Sequence, residues 1–218
     1  MSTPEKIEHV KGLGDVYRSY APFNQQIRNL NEIGIKAPVS VRGASYERLH
    51  GDNIEGTRTC HAPVCAKDSP TIIVRMSPLI KDLEMAEQAV SAHKNSQYPV
   101  FDKDNSIYHK YEEIAIADKD KNPEKRRAII LPERNDYGIH RDSEEAGFFW
   151  QGTRKPYFER FVSGDTVPCW QISTDKIDSA NGTIINYVWF NRPDYESNLN
   201  FRNRNLNNNN RALGMTLC

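Results

Sequence analysis

The 218-residue sequence lacks several things that would settle its class at once. No stretch approaches 18 consecutive apolar residues, which excludes a membrane-spanning helix, and the first 30 residues are too polar for a secretory signal. Charge of one sign is missing too. Its 29 basic and 29 acidic side chains cancel, so an overall electrostatic attraction to nucleic acid or anionic membrane is not expected. Four cysteines, Cys60, Cys65, Cys169 and Cys218, are too few for a small disulfide scaffold and leave the redox compartment open. There is no Gly-x-Ser-x-Gly elbow, no phosphate-binding Gly-x-x-x-x-Gly-Lys, no Gly-x-Gly-x-x-Gly and no His-Glu-x-x-His. His50, His109 and His140 are scattered. No repeat of 20 to 50 residues runs through the chain.

The length suits a large core, and one domain over 1–218 is expected. The apolar fraction of 38% is low, but ten Tyr, eight Phe and three Trp supply large buried areas. The first dozen residues are charged and read as loose. Phe23, Ile27, Leu30 and Ile33, closed by Gly34, predict an amphipathic helix. Val39-Ser-Val41 reads as a short strand, 43–69 as irregular chain, and 71–76 as a strand. The clearest helix starts at Asp82 and turns Leu83, Ala86, Ala89, Val90 and His93 inward. A second runs from Ile107 to Ala117 with Ile107, Tyr111, Ile114 and Ala115 inward, before a solvated charged turn over 118–125. Strands are expected at 127–131, 147–150, 169–172 and 183–190, the last following an Asn181-Gly182 hairpin signal. Such a pair of helices followed by short antiparallel strands gives an α+β fold.

Three constellations invite chemistry. Cys60, His61 and Cys65 carry zinc-type ligands, but the spacing suits no paired knuckle, so no metal or cofactor is expected. Val41-Arg42-Gly43 resembles the strand arginine of ADP-ribosyltransferases, with Glu112-Glu113 or Glu144-Glu145 as the acidic partner. The middle Ser-Thr-Ser element of that family is absent. Arg192, Arg202, Arg204 and Arg211 outnumber Asp194 and Glu196 by two, a small excess with few stacking aromatics, which disfavours nucleic acid as partner.

What the chain has in surplus is asparagine. Eight of its 19 asparagines lie between Asn198 and Asn210. Asn198 and Asn200 alternate with Leu199 and Phe201, so an extended chain would bury the apolar pair and present asparagine outward. Asn203, Asn205, Asn207 and Asn209 share the other phase, which a bulge near Arg202 reconciles. Asparagine is depleted in strands, so this pattern needs the rest of the fold to hold it. Leu199, Phe201 and Leu206, and the compact ending from Arg211, argue against a free low-complexity tail.

This segment resembles the variable region of a diversity-generating retroelement variable protein, a family with a C-type lectin fold and viral or prokaryotic members. There a reverse transcriptase miscopies template adenines, and asparagine codons are the usual mutable positions. The resemblance implies a C-type lectin-like α+β fold with a variable segment at about 186–211. It implies Asn191, Asn198, Asn200, Asn203, Asn205, Asn207, Asn208, Asn209 and Asn210 as ligand-facing positions, and Leu199, Phe201, Leu206, Arg211, Leu213 and Gly214 as scaffold. It also implies a non-enzymatic protein whose partner is a protein or cell-surface ligand, on a virion or a cell. Calcium-dependent sugar binding is not implied, because the paired motifs for it are missing and Arg192-Pro193-Asp194 is a distant echo of one. The cysteines do not follow lectin disulfide spacing, which suits a scaffold held by packing.

Overall fold

The structure, a computed structural model, describes residues 3–11, 14–52, 55–193, 197–202, 206–208 and 211–215, with the main chain alone at Arg211 and Met215. The charged N-terminus is a hairpin, not a loose arm. β1 (Glu5–Val10) and β2 (Gly14–Tyr20) pair antiparallel. Val10 and Val16 turn into the core, while the ion pairs Lys6–Asp15 and Arg18–Glu5 span the exposed side. The hairpin gains its third partner from the far end of the chain, β12 (Arg211–Met215), which sequence periodicity near residue 10 cannot signal.

Helix α1 (Phe23–Glu32) forms as its apolar spacing requires, and Gly34 follows with φ +81°. Val39–Val41 departs from expectation. Ser40 accepts a hydrogen bond from the Gly43 N–H and caps α2 (Val41–His50), so capping overrides the β-branched pair. Within 43–69, read as irregular, the chain makes that helix and then β3 (Thr57–Arg58) and β4 (Ala62–Cys65). Next come β5 (Ile72–Val74), a single turn α3 (Pro78–Lys81) and α4 (Leu83–Lys94), where Asp82 caps the Glu84 and Met85 amides as expected.

Helix α5 (Ser106–Asp118) buries Tyr108, Ala115 and Asp118; Ile107, Tyr111 and Ile114 are half-buried. Asp118 therefore does not belong to a solvated turn. Its buried carboxylate accepts from the Arg127 side chain and backbone and from Lys121, and these bonds hold it well below the usual carboxylate range. β6 (Ala128–Ile130) and β7 (Tyr137–His140) follow. Residues 147–150, expected as a strand, lie in α6 (Glu144–Trp150). Ser143 caps that helix, and Phe148, Phe149 and Trp150 are all buried, so packing on several sides wins over aromatic β-propensity. After α7 (Arg154–Phe161), β8 (Thr166–Trp170) and α8 (Thr174–Asp178), the apolar run at 183–190 splits into β9 (Ile184–Ile185) and β10 (Trp189–Phe190), which serve different sheets. β11 (Leu199–Asn200) precedes β12.

Among the described residues the strands form two sheets. The larger has the order β1-β2-β12-β3-β10-β11-β8-β7, and the smaller β6-β5-β4-β9. β11 pairs parallel with β8, and β12 parallel with β3; the remaining registered pairs are antiparallel. One face of the larger sheet packs Cys169, Phe190, Leu199 and Leu213 against Phe148, Phe149, Trp150 and Tyr157. A second core joins α1, α4 and α5 to the smaller sheet through Phe23, Tyr108, Tyr187 and Leu206. No described helix is long and apolar enough to cross a membrane.

Candidate functional site

The asparagine segment enters the larger sheet at its centre. In register, Asn200 of β11 lies between Trp170 of β8 and Trp189 of β10. Their immediate predecessors and successor, Cys169, Leu199 and Phe190, are fully buried on the opposite face, so the two-residue period turns the Trp–Asn–Trp row the other way. All three of these side chains are half-buried. The row is a polar position flanked by two aromatic ones on a backbone fixed by three strands.

Beyond β11 the described residues 201–202 and 206–208 belong to no strand or helix but are tethered. Phe201 is fully buried; its N–H donates to the Trp170 carbonyl at 2.8 Å, and its carbonyl accepts from Asn186 Nδ2 at 2.7 Å. The Arg202 carbonyl accepts from the Tyr98 hydroxyl at 3.0 Å. Leu206 is clamped at both main-chain groups: its N–H donates to His93 Nδ1 at 3.0 Å and its carbonyl accepts from the Phe23 N–H at 2.8 Å. The first bond needs a free lone pair on Nδ1. Buried Arg58 reaches the Asn208 carbonyl through Nη2 at 3.0 Å, while its Nη1 serves the Ala21 carbonyl and Gln26 Oε1. Side chains from outside the asparagine set thus bind the main chain of this segment at four successive points.

The predicted ligand-facing residues separate into groups. Asn191, Asn200 and Asn207 are half-buried and Asn208 is exposed. Asn200 Oδ1 accepts the Arg202 N–H at 3.0 Å. Asn198 differs: it is fully buried, and its carbonyl accepts from the Asn191 N–H, so it does not face outward. Alternation along β11 gives no sign of what Asn198 meets on its own face. Asn203, Asn205, Asn209 and Asn210 lie outside the described residues. Of the scaffold set, Leu199, Phe201, Leu206 and Leu213 are buried, and a Cβ at Gly214 would come within 2.5 Å of Leu30 and 2.9 Å of Ile35. Arg211 holds its place by main-chain pairing with Tyr20. Sequence reading missed Arg58, Tyr98 and Asn186 altogether; for His93 it found the inward face but not the bond.

The other constellations disperse. Cys60 Sγ donates to the Arg75 carbonyl, Cys65 faces Thr71, and His61 packs on Phe148 and Phe149. Burial pushes both thiols up to about 12, and Cys60, Cys65 and Cys169 are free, buried thiols. Cys218 lies outside the described residues. No group of three metal-type side chains occurs among the described residues. Arg42 lies in the first turn of a helix and not on a strand, and donates to Gln151 Oε1. Glu144 pairs with Arg126, and Glu112 with His109. Of the arginines weighed for nucleic acid, Arg202 is paired with Asp136, and Arg204 and the Arg211 side chain are not described.

No family model matches the sequence, and no curated protein matches it. A solved structure described as the accommodation of massive sequence variation in Nanoarchaeota by the C-type lectin fold does superpose, with a TM-score of 0.59 over 92% of this chain and 97% of that one. This chain has a C-type lectin fold. At 10% identity the likeness concerns the fold alone. In this C-type lectin fold the Trp170–Asn200–Trp189 row is followed directly in the chain by the tethered residues Phe201 and Arg202.

Proposed function

We propose that this protein is a non-enzymatic binding protein that displays a hypervariable surface, diversified by a retroelement, on its C-type lectin-fold scaffold. Asn191, Asn200, Asn207 and Asn208, together with Asn203, Asn205, Asn209 and Asn210, are the variable positions; Asn198 is scaffold. The observation that carries this reading is the mode of tethering. Arg58, His93, Tyr98 and Asn186 grip main-chain atoms of the segment, and a main-chain grip is indifferent to which side chain sits there. Affinity then comes from whatever replaces asparagine, because Tyr, Trp and Arg dominate binding hot spots and asparagine supplies adaptable polar contacts. The partner is a protein or another cell-surface ligand.

The test is a set of combined substitutions. Changing Asn200, Asn207 and Asn208 together to Ser or Tyr is expected to move the unfolding free energy by no more than about 1 kcal/mol, as for surface sites. Asn198→Tyr in the same background is expected to cost about 1–3 kcal/mol by overpacking. A loss of several kcal/mol in the triple variant overturns the reading. So does a randomised library at the variable positions that yields no binders to any of a panel of proteins. A reverse transcriptase gene beside a near-copy of the 3′ coding end, differing only at adenines, is the genomic counterpart.

A further inference from the structure

Beside Asn200 the surface dips into a depression of about 400 Å³ bordered by Arg202, Asp136 and Tyr98, with Gln171 beneath. Arg202 is held here in a defined pose. Its Nη1 donates to Asp136 Oδ2 at 3.1 Å, and its guanidinium carbon lies 5.0 Å from the Trp170 ring centroid. Asp136 is itself fixed, because its Oδ1 accepts the Gln171 N–H at 2.7 Å. With Nη1 engaged and one face on the indole, the remaining edge, Nε and Nη2, has no partner among the described residues. Those two parallel N–H groups form the fork that takes a carboxylate bidentately. The floor is held by Gln171, which is 2% exposed and whose Nε2 donates to the carbonyls of Glu133 and Asn135 at 2.6 Å each. A ligand that satisfies the fork brings a carboxylate. From Tyr98 a wider depression of about 620 Å³ continues, its lining mixing the apolar Val100 and Ile184 with Gln88, Gln97, Asn181 and Lys176. Amides and hydroxyls both donate and accept, which suits a peptide main chain.

Resting on the binding-protein reading above, we infer that Arg202, braced by Trp170 and Asp136, is a constant anchor within the variable surface and takes the side-chain carboxylate of an extended acidic peptide segment of the partner. Arg202 lies between asparagine positions without being one of them. It supplies each variant with the same charged contact while the neighbouring positions change, and Asp136 offsets its charge until the ligand arrives. The carboxylate binds the guanidinium edge away from Asp136, so the two acids lie on opposite sides of the cation.

The experiment is a fluorescence-anisotropy titration of the full chain with labelled octapeptides of Glu-Ser repeats and with their Gln-Ser isosteres. The Glu peptide is expected to bind at least about tenfold more tightly, as befits an interfacial arginine contact. Arg202→Gln is expected to abolish that preference, and Arg202→Lys, which keeps the charge but not the fork, to retain a small part of it. Arg141→Gln, an exposed arginine elsewhere, should leave it intact. Peptide addition should also change the tryptophan emission of the wild type but not of Trp170→Phe. Equal affinity for the two peptides overturns the inference, as does an unchanged preference in Arg202→Gln or tighter binding of a single-stranded oligonucleotide of equal charge. The triple Asn200, Asn207 and Asn208 to Ser variant separates the two readings. If it unfolds, the hypervariable surface fails while the wild-type anchor measurement stands; if it folds and keeps the preference, the anchor is independent of the variable side chains.

Discussion

Arg58→Ala is expected to destabilise the protein by about 3–5 kcal/mol, the range for a large buried side chain whose removal also orphans hydrogen-bond acceptors. Arg58 is wholly buried although it is charged. It sits on β3 between β10 and β12, opposite Trp189 on one side and Ala212 on the other. Its donors serve the carbonyls of Ala21 and Asn208 and the Gln26 side chain, and its guanidinium carbon lies 5.5 Å from the Tyr187 ring centroid. Burial lowers its pKa, yet a guanidinium in a protein stays protonated, so folding must accommodate the full charge. Alanine leaves those acceptors without this donor and opens a cavity. Urea denaturation reads the global loss. Amide exchange at Leu206, Asn207 and Asn208 reads the local one, and protection there should fall further than the global loss explains. A change below 1 kcal/mol with unaltered exchange at 206–208 removes Arg58 from its place among the tethers of the segment.

Acidification is expected to weaken the fold by about 3 kcal/mol between pH 6.5 and pH 4 through His61 alone. This imidazole is fully buried, with ring centroids 5.8 Å and 5.4 Å from Phe148 and Phe149, and neither ring nitrogen has a hydrogen-bond partner among the described residues. Burial first, and the nearby Arg75 charge second, pull its pKa down to about 3. An unfolded histidine takes a proton near pH 6.5, whereas the folded one resists until about pH 3. Within that window the unfolded state binds more protons, so stability falls as pH falls, at about 1.4 kcal/mol per unit. Measuring the urea midpoint at pH 7, 5 and 4 in wild type and His61→Leu checks this. The variant should have a slope shallower than wild type by about 1.4 kcal/mol per unit over that window and be at least as stable at pH 7, since leucine buries no unpaired polar group. Below pH 4 a separate dependence begins. Asp118, whose carboxylate is held low by Arg127 and Lys121, contributes stability present above its unfolded pKa and lost as pH falls toward its folded value. Parallel pH slopes in wild type and His61→Leu sink the histidine argument.

Elements that depend on local chemistry were legible in the chain. Asp82 announced α4, the spacing of Phe23, Ile27 and Leu30 announced α1, and the phase of Leu199 and Phe201 announced that these two side chains would be buried. Elements that depend on distant partners were not. β2 takes β12 as its neighbour from nearly two hundred residues away, and the aromatic run 147–150 coils into a helix because its rings find partners on several sides. At Val41 the signal was local, but the capping serine was overlooked beside a β-branched pair.

The candidate site divides along the same line. By itself the sequence determined that asparagine is concentrated near the C-terminus, that Leu199, Phe201 and Leu206 interrupt it as anchors, and that the chain carries no net charge to select a partner. It could not determine that Asn198 turns inward, that Trp170 and Trp189 flank Asn200, or that Arg58, His93, Tyr98 and Asn186 hold the loop. Those are decided by tertiary structure, because main-chain hydrogen bonds to a segment are made by side chains drawn from anywhere in the sequence. A periodicity records which way a residue points along its own strand; only the completed sheets and their neighbours determine what it meets there.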